Sequence, residues 1–274
     1  MQVALATCAE IPDLEPDDRL LLSALATHGI DGVPAVWDDG EMEWDTFDLV
    51  VLRSTWDYAE RRDEFLAWAR SLRRVLNSVP LVEWNTDKRY LEDLSRAGVP
   101  TVPTRFVAPG TAFEPPAGSF VVKPSVSAGG RSSARFAPYE ADAAHALVAE
   151  LHAEGRTAMI QPYLSDVDEK ALVYVGGEYS HALLRRVPLP AAGSRPAFYL
   201  AEELAPAEAS APERSIAEAA IACAPGEPLY ARIDLLGGSV LELELTEPSL
   251  YFEFGPGSAE GFAAAIAARL TPVR

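Results

Sequence analysis

The chain has 274 residues, 49% of them hydrophobic, and a formal net charge of −18. That apolar content excludes intrinsic disorder, and the length accommodates two modest domains. The acidity argues against a nucleic-acid partner, because phosphate backbones need a basic stripe, and no apolar run reaches the roughly 18 residues that a membrane span requires.

The opening "MQVALATCAE" reads as a buried strand over residues 3–7, with no charged leader region before it. Residues 17–28 follow as a helix closed by Gly29, and residues 33–37 as a second strand. "FDLVVLRSTWDY" supplies a third strand, 48–53, and then a helix to about residue 76. Such alternation predicts a parallel sheet covered by helices. No G-x-G-x-x-G follows the first strand, so the phosphate loop of a dinucleotide fold is missing. Cys8 and Cys223 lie too far apart to suggest a disulfide framework, and a cytoplasmic protein is the expectation.

"WNTDKRYLEDLSRAGVP" reads as one helix, with Asn85 or Thr86 as N-cap and Gly98 at its end. Short strands are expected at 103–107, 120–123 and 132–136, a helix over 139–154, and another strand in "TAMIQPYL". "KALVYVGGEYSHALLRR" reads as a hairpin turned at Gly176-Gly177. Residues 189–212 read as a long loop, followed by a helix to Ala224, a second hairpin in "LYARIDLLGGSVLELELTEP" and a short helix over 259–270. The second part is therefore mixed α+β.

Three stretches carry chemistry. In "FVVKPSVSAGGRSS", Lys123 closes an apolar strand, and the small residues that follow, Ser127, Gly129 and Gly130 among them, let a backbone approach phosphate oxygens. A hairpin with a loose tip is the competing account. Of the 23 basic residues only Lys88, Lys123 and Lys170 are lysines, which suggests that a compact ammonium is needed where one survives. In "ARIDLLGGSVLELELTEP", a three-residue loop at 237–239 would oppose Asp234 to Glu242 and Arg232 to Glu244 on one face. A two-residue Gly-Gly loop would instead place the aspartate and the glutamates on opposite faces. Three adjacent carboxylates suit Mg²⁺ held with nucleotide phosphates; an exposed, salt-bridged hairpin is the alternative. In "MIQPYLSDVDEKALV", Pro162 interrupts a ladder, and freed backbone groups there would bond an adenine edge with Glu169 on a ribose. A plain strand-to-loop transition explains that stretch equally well.

These blocks, "NTDKRYL", "FVVKPSVSAGG", "IQPYLSDVDE" and "YARIDLL…LELELTEPSL", resemble in order and spacing the ATP-grasp superfamily. "VVLRSTWDY" resembles a bacterial subgroup related to glutathione synthetases that includes a cyclo-ligase acting on O-ureido-D-serine. The resemblance implies an α/β substrate domain at 1–87, then an α+β ATP-grasp fold at 88–274, with a lid subdomain at about 100–162 and a metal-binding subdomain at about 163–274. It implies ATP and Mg²⁺ as cofactors. Lys88 and Lys123 would hold the nucleotide phosphates under the loop carrying Ser127, Gly129 and Gly130. Gln161, Pro162, Tyr163 and Leu164 would form the adenine hinge, with Glu169 on the ribose. Asp234, Glu242 and Glu244 would hold the metal, although many family members have asparagine at the place of Glu244. Arg232 would stabilise charge in the transition state, assisted by Arg185 or Arg186. Lys170 reads as a surface or ion-pair residue.

Open α/β sheets bind ligands beyond the carboxyl ends of their strands. Arg53 is a candidate for bidentate carboxylate recognition, with Ser54 and Thr55 supplying hydroxyls. A structural pair between Arg53 and Asp57 or Asp38 is the alternative, and Asp57 with Glu60 also fits a capping box. Glu247 and Ser249, in "TEPSLYF", are candidates for a substrate amine or carboxylate. His181 lies on the inner hairpin and is a weaker candidate.

The expected function is an ADP-forming ligase joining a carboxylate to an amine through an acylphosphate, on a small amino-acid-derived substrate. Ring closure and intermolecular condensation both stay open. Related ligases often form dimers, so a homodimer is also expected. A nucleotide-binding module that acts through a partner, or an acidic binding protein independent of nucleotide, would be the non-catalytic alternatives.

Overall fold

The computed structural model describes residues 1–130, 132–165, 167–186 and 202–270. Its first sheet is parallel, in the order β2-β1-β3-β4, from β1 (Gln2–Thr7), β2 (Asp31–Val36), β3 (Leu49–Ser54) and β4 (Val75–Leu76). β1 and β3 are covered on both faces, which is why they read as unbroken apolar runs. Pro34 is tolerated because β2 is an edge strand. Helix α1 (Leu20–Thr27) ends two residues before Gly29, whose φ of +68° suits the left-handed turn after a helix.

The helix expected to reach residue 76 is shorter. Helix α2 (Arg62–Ser71) stops and the chain turns extended, because Val75 and Leu76 fill the open edge beside β3. The single helix expected from Asn85 is two: α3 (Val79–Asn85) and α4 (Tyr90–Arg96). Asn85 is the last residue of α3 rather than an N-cap. Its side chain donates to the Leu243 carbonyl and accepts from the Leu245 N–H, both at 2.7 Å.

Two antiparallel sheets follow. One has the order β5-β8-β6-β7, from β5 (Arg105–Val107), β6 (Phe120–Pro124), β7 (Ala134–Phe136) and β8 (Ala158–Pro162), and is covered by α5 (Ala141–Ala153). The other has the order β11-β10-β9-β12-β13, from β9 (Glu169–Val175), β10 (Glu178–Arg186), β11 (Glu203–Ala207), β12 (Tyr230–Leu236) and β13 (Ser239–Glu244). The loop expected over 189–212 lies partly outside the described residues. Within them it gives way to β11 and to the start of α6 (Ala211–Ala222). Lys170 is an ion-pair residue, with Glu213 of α6 at 2.7 Å.

The parallel sheet and the five-stranded sheet share a core. Helix α7 (Ser258–Leu270) returns to pack on α1, and Phe262 and Ile266 join Leu5, Leu21, Val51 and Tyr230 in one apolar cluster. Asn77 ties the sheets together through the Leu229 N–H and the carbonyls of Tyr230 and Leu245. Burial of this kind fixes the ends of β3 and of β12–β13 relative to one another, and the cleft lies where they meet.

Candidate active site

A cleft of about 870 Å³ opens between the antiparallel sheets and the ends of the parallel one. Every predicted site residue lines it except Arg53, Ser54, Thr55 and the weaker candidate His181.

The β12–β13 hairpin builds its floor. Its loop is the two-residue Gly237-Gly238, both at positive φ, with Leu236 opposite Ser239. On sequence grounds that loop separates Asp234 from the glutamates. A β-bulge between Asp234 and Leu235 shifts the register by one, so Asp234 opposes Glu242 and Arg232 opposes Glu244 after all. The expected facing survives, and the three-residue loop does not.

Asp234, Glu242 and Glu244 can each offer an oxygen within 4.8 Å of the others. This oxygen-only set fits a hard divalent cation. Four cationic side chains surround it. Arg232 donates from Nε and Nη2 to Asp234 at 3.0 Å, from Nη2 to Glu244 at 2.5 Å, and from Nη1 to the Ser249 carbonyl at 3.1 Å. Arg185 donates to Glu169 and Asp234 at 2.6 Å and to Glu202 at 2.5 Å. Lys123 bonds Glu242, and Lys88 donates to the Ser127 carbonyl at 2.7 Å. Arg186 lies exposed at the cleft's rim and pairs with Asp168 and Glu203.

Burial alone would raise the Glu242 carboxyl, but Lys123 and Lys88 outweigh it and hold the group well below the usual range. Glu244 is pushed up to about 8 by burial and by Asp234 and Glu242, despite Arg232. Glu169 and Glu247 are each pushed up to about 7, chiefly by burial, which Arg185 and Lys88 respectively oppose. One hairpin therefore carries carboxylates of very different proton affinity a few ångströms apart.

The small-residue loop after Lys123 is anchored at its base, since the Lys88 N–H donates to the Ser125 carbonyl at 2.8 Å. Gly129 and Gly130 have φ of +61° and +72°, so no ordinary side chain fits there without strain. At the far wall Gln161 donates to Thr104 at 2.9 Å. The Tyr163 N–H is already used by the Ser119 carbonyl at 2.9 Å, so the hinge offers fewer free donors than its proline suggested.

The Arg53 group departs from expectation. Arg53 is fully buried and pairs with Asp18, at 2.7 Å from Nη2, rather than with Asp38 or Asp57. Ser54 donates to the other oxygen of Asp18, and Thr55 is fully buried. These residues brace the floor from beneath. Asp38 and Asp57 belong to Arg61, and Asp57 accepts from the Trp37 indole instead of capping a helix. His181 also faces away, bonded to the Leu250 carbonyl at 2.9 Å. Glu247 and Ser249 do line the cleft, with Ser249 donating to Glu15. Glu15, Tyr58, Glu202 and Tyr251 also line it; Tyr58 lies in "VVLRSTWDY" and Tyr251 in "TEPSLYF", but nothing in those stretches singles them out.

Residues 3–77 match the model of the D-cycloserine synthetase DcsG N-terminal domain, and residues 87–254 that of the prokaryotic glutathione synthetase ATP-grasp domain. The chain is 37% identical to the cycloserine biosynthesis protein DcsG of Streptomyces lavendulae, over 98% of this chain and 99% of that protein. The crystal structure of D-cycloserine synthetase DcsG superposes with a TM-score of 0.87 at 35% identity, covering 99% of this chain and 100% of that one. The D-alanine–D-alanine ligase of Bacillus anthracis complexed with ATP shares the fold, with a TM-score of 0.67 at 12% identity over 98% of both chains. Among the described residues no helix is long and apolar enough to cross a membrane. The chain thus belongs to the glutathione-synthetase-type ATP-grasp family, whose members are ligases that use ATP and Mg²⁺ to form carbon–nitrogen bonds.

Proposed function

We propose that this chain is an ADP-forming cyclo-ligase for a small amino-acid-derived substrate of the O-ureido-D-serine type. The likeness to a D-cycloserine synthetase over nearly the whole of both chains supports that substrate class. The observation that carries the chemistry is the hairpin face, where Arg232, Asp234, Glu242 and Glu244 converge with Lys88 and Lys123 at one end of a single cleft.

In this reading residues 1–87 supply the substrate domain and 88–274 the ATP-grasp. Lys88 and Lys123 bind the nucleotide phosphates under the Ser127–Gly129–Gly130 loop. Gln161 to Leu164 flank the base and Glu169 the ribose. Asp234, Glu242 and Glu244 hold Mg²⁺, which neutralises phosphate charge when bound. The substrate carboxylate attacks the γ-phosphorus, ADP leaves, and an acylphosphate remains. Arg232 and Arg185 offset the charge that develops on the oxygens. The substrate nitrogen then attacks the acyl carbon, inorganic phosphate leaves, and the nitrogen gives up its proton. A closed loop keeps water from the acylphosphate. Glu247 and Ser249 face the substrate end of the cleft. The unpaired Cys8 and Cys223 support a cytoplasmic location. A homodimer, as in related ligases, is part of the proposal and is checked by sedimentation.

The test is ADP release from Mg·ATP, scanned over D- and L-amino acids and O-ureido-D-serine, each with and without a second amine. The expected result is ADP release with one substrate alone. Its product should be lighter by water, or by water and the carbamoyl group where that is shed after closure. A strict need for a second amine would replace ring closure with condensation. No stimulation by any of them would overturn the substrate class.

A further inference from the structure

Tyr251 stands out by its backbone. Its φ of +52° and ψ of +49° place it in the left-handed region, which bulky side chains avoid. Such outliers persist where the surroundings over-determine them, and they gather at functional sites. Here the determinants are visible on both sides. The Ser249 carbonyl accepts from Arg232 at 3.1 Å and the Leu250 carbonyl from His181 at 2.9 Å, while the N–H groups of Phe252 and Glu253 donate to Asp17 at 2.9 and 3.2 Å. The turn brings the ring of Tyr251 into the cleft wall rather than away from it.

That ring meets two guanidinium groups at once. Its centroid lies 5.5 Å from the Arg232 carbon and 5.9 Å from that of Arg185. The Tyr251 hydroxyl donates to one oxygen of Glu202 at 2.6 Å, and the other oxygen of Glu202 accepts from Arg185 at 2.5 Å. Tyrosine, glutamate and arginine thus close a loop. We propose that Tyr251 is a positioning residue for the ligation, holding Arg185 and Arg232 in the orientation that faces the reacting phosphoryl group. This rests on the reading of those arginines given above.

The physical need is specific. Two like charges converge on Asp234, and they stay together because carboxylates surround them. A metal drawn to Asp234, Glu242 and Glu244 competes with the arginines for those oxygens. The contacts of the two arginines outside that carboxylate set are the face of Tyr251, the Ser249 carbonyl, Glu202 and Glu169. An aromatic face attracts a guanidinium without taking up its hydrogen-bond donors, so donors released when a metal takes the carboxylate oxygens can turn to phosphate oxygens while the guanidinium stays in place.

Three variants test this. Tyr251→Leu keeps bulk but loses the π face and the hydroxyl; Tyr251→Phe keeps the face and loses the Glu202 bond. For Leu, kcat should fall roughly 30-fold, the order expected from two cation–π contacts, with the Kd for Mg·ADP unchanged within about twofold. Phe should recover most of that loss. In an Arg232→Ala background, Tyr251→Leu should cost only about fivefold, because the share that runs through Arg232 is gone and the share through Arg185 is left. With Mg·ADP bound, phenylglyoxal labelling mapped to Arg185 and Arg232 should be faster in Tyr251→Leu than in the native chain. Wild-type kcat in Tyr251→Leu, unchanged labelling, or a loss fully additive with Arg232→Ala would each overturn the proposal. If Tyr251→Leu does not fold, native kcat and native labelling in Tyr251→Met, which also lacks the aromatic face, would do the same. Absence of substrate-dependent ADP release from the native chain would instead sink the ligase reading, and the labelling would still decide the role of Tyr251.

Discussion

Arg53 with Asp18 and Arg232 with Asp234 are two arginine–aspartate pairs at the junction of the parallel and five-stranded sheets, and they differ in their surroundings. Arg53 is sealed: it holds Asp18 by two nitrogens, donates to the Pro248 carbonyl at 2.8 Å, and lies against the rings of Tyr230 and Phe262. One charge meets one charge, and neither residue lines the cleft. Arg232 shares Asp234 with Arg185 and also holds Glu244, all facing the cleft. Residue types alone do not separate a brace from a working site. Charge balance and access to a cavity do.

The largest expected effect breaks the brace. Arg53→Ala leaves Asp18 buried without its partner and should cost about 3–5 kcal/mol of stability in denaturant melts. Turnover per folded molecule should stay within about an order of magnitude of the native value. If stability is unchanged and turnover vanishes, Arg53 is a substrate ligand after all. A smaller effect sharpens the other side. Above about pH 8, where the Glu244 carboxyl is ionised, Glu244→Asn removes one negative charge from the hairpin face and should weaken Mg²⁺ binding in the presence of ADP roughly tenfold. Unchanged affinity would mean that Glu244 stays with Arg232 when the metal binds.

The smallest effect concerns His181, which lies behind the cleft. Burial disfavours its charged ring and lowers its pKa below the ordinary 6.5. Above that value the ring is neutral in both folded and unfolded chains. As pH falls through it, the unfolded chain takes up a proton that the folded chain resists, so stability is lost. Melting temperature should therefore drop between about pH 7.5 and 5.5, and His181→Gln should show a shallower drop. An identical slope in both proteins would assign the drop to other groups.

Much of this was legible in the sequence, for physical reasons. Period-2 alternation placed Glu242 and Glu244 on one face, because a strand's pleat allows nothing else. Lys88 and Lys123 stood out as survivors in an arginine-rich chain. What escaped was everything set by distant partners. The bulge that brings Asp234 round to the glutamates depends on how β13 seats beside β12, and glycine spacing does not encode it. Arg53 invited a substrate because Asp18, 35 residues upstream, gave no local sign of pairing with it. Asn85 resembled an N-cap, since its partners lie 158 and 160 residues away. Tyr251, within "TEPSLYF", gave no sign of its own, because its partners are two arginines on β10 and β12.

The most direct test of the central claim is Arg232→Ala, assayed for substrate-dependent ADP release and for Mg·ADP binding on the same folded sample. The account predicts that kcat falls on the order of 10²–10³-fold while nucleotide binding and fold are kept. Native turnover in that variant would contradict it, and would return Arg232 to the same bracing role as Arg53.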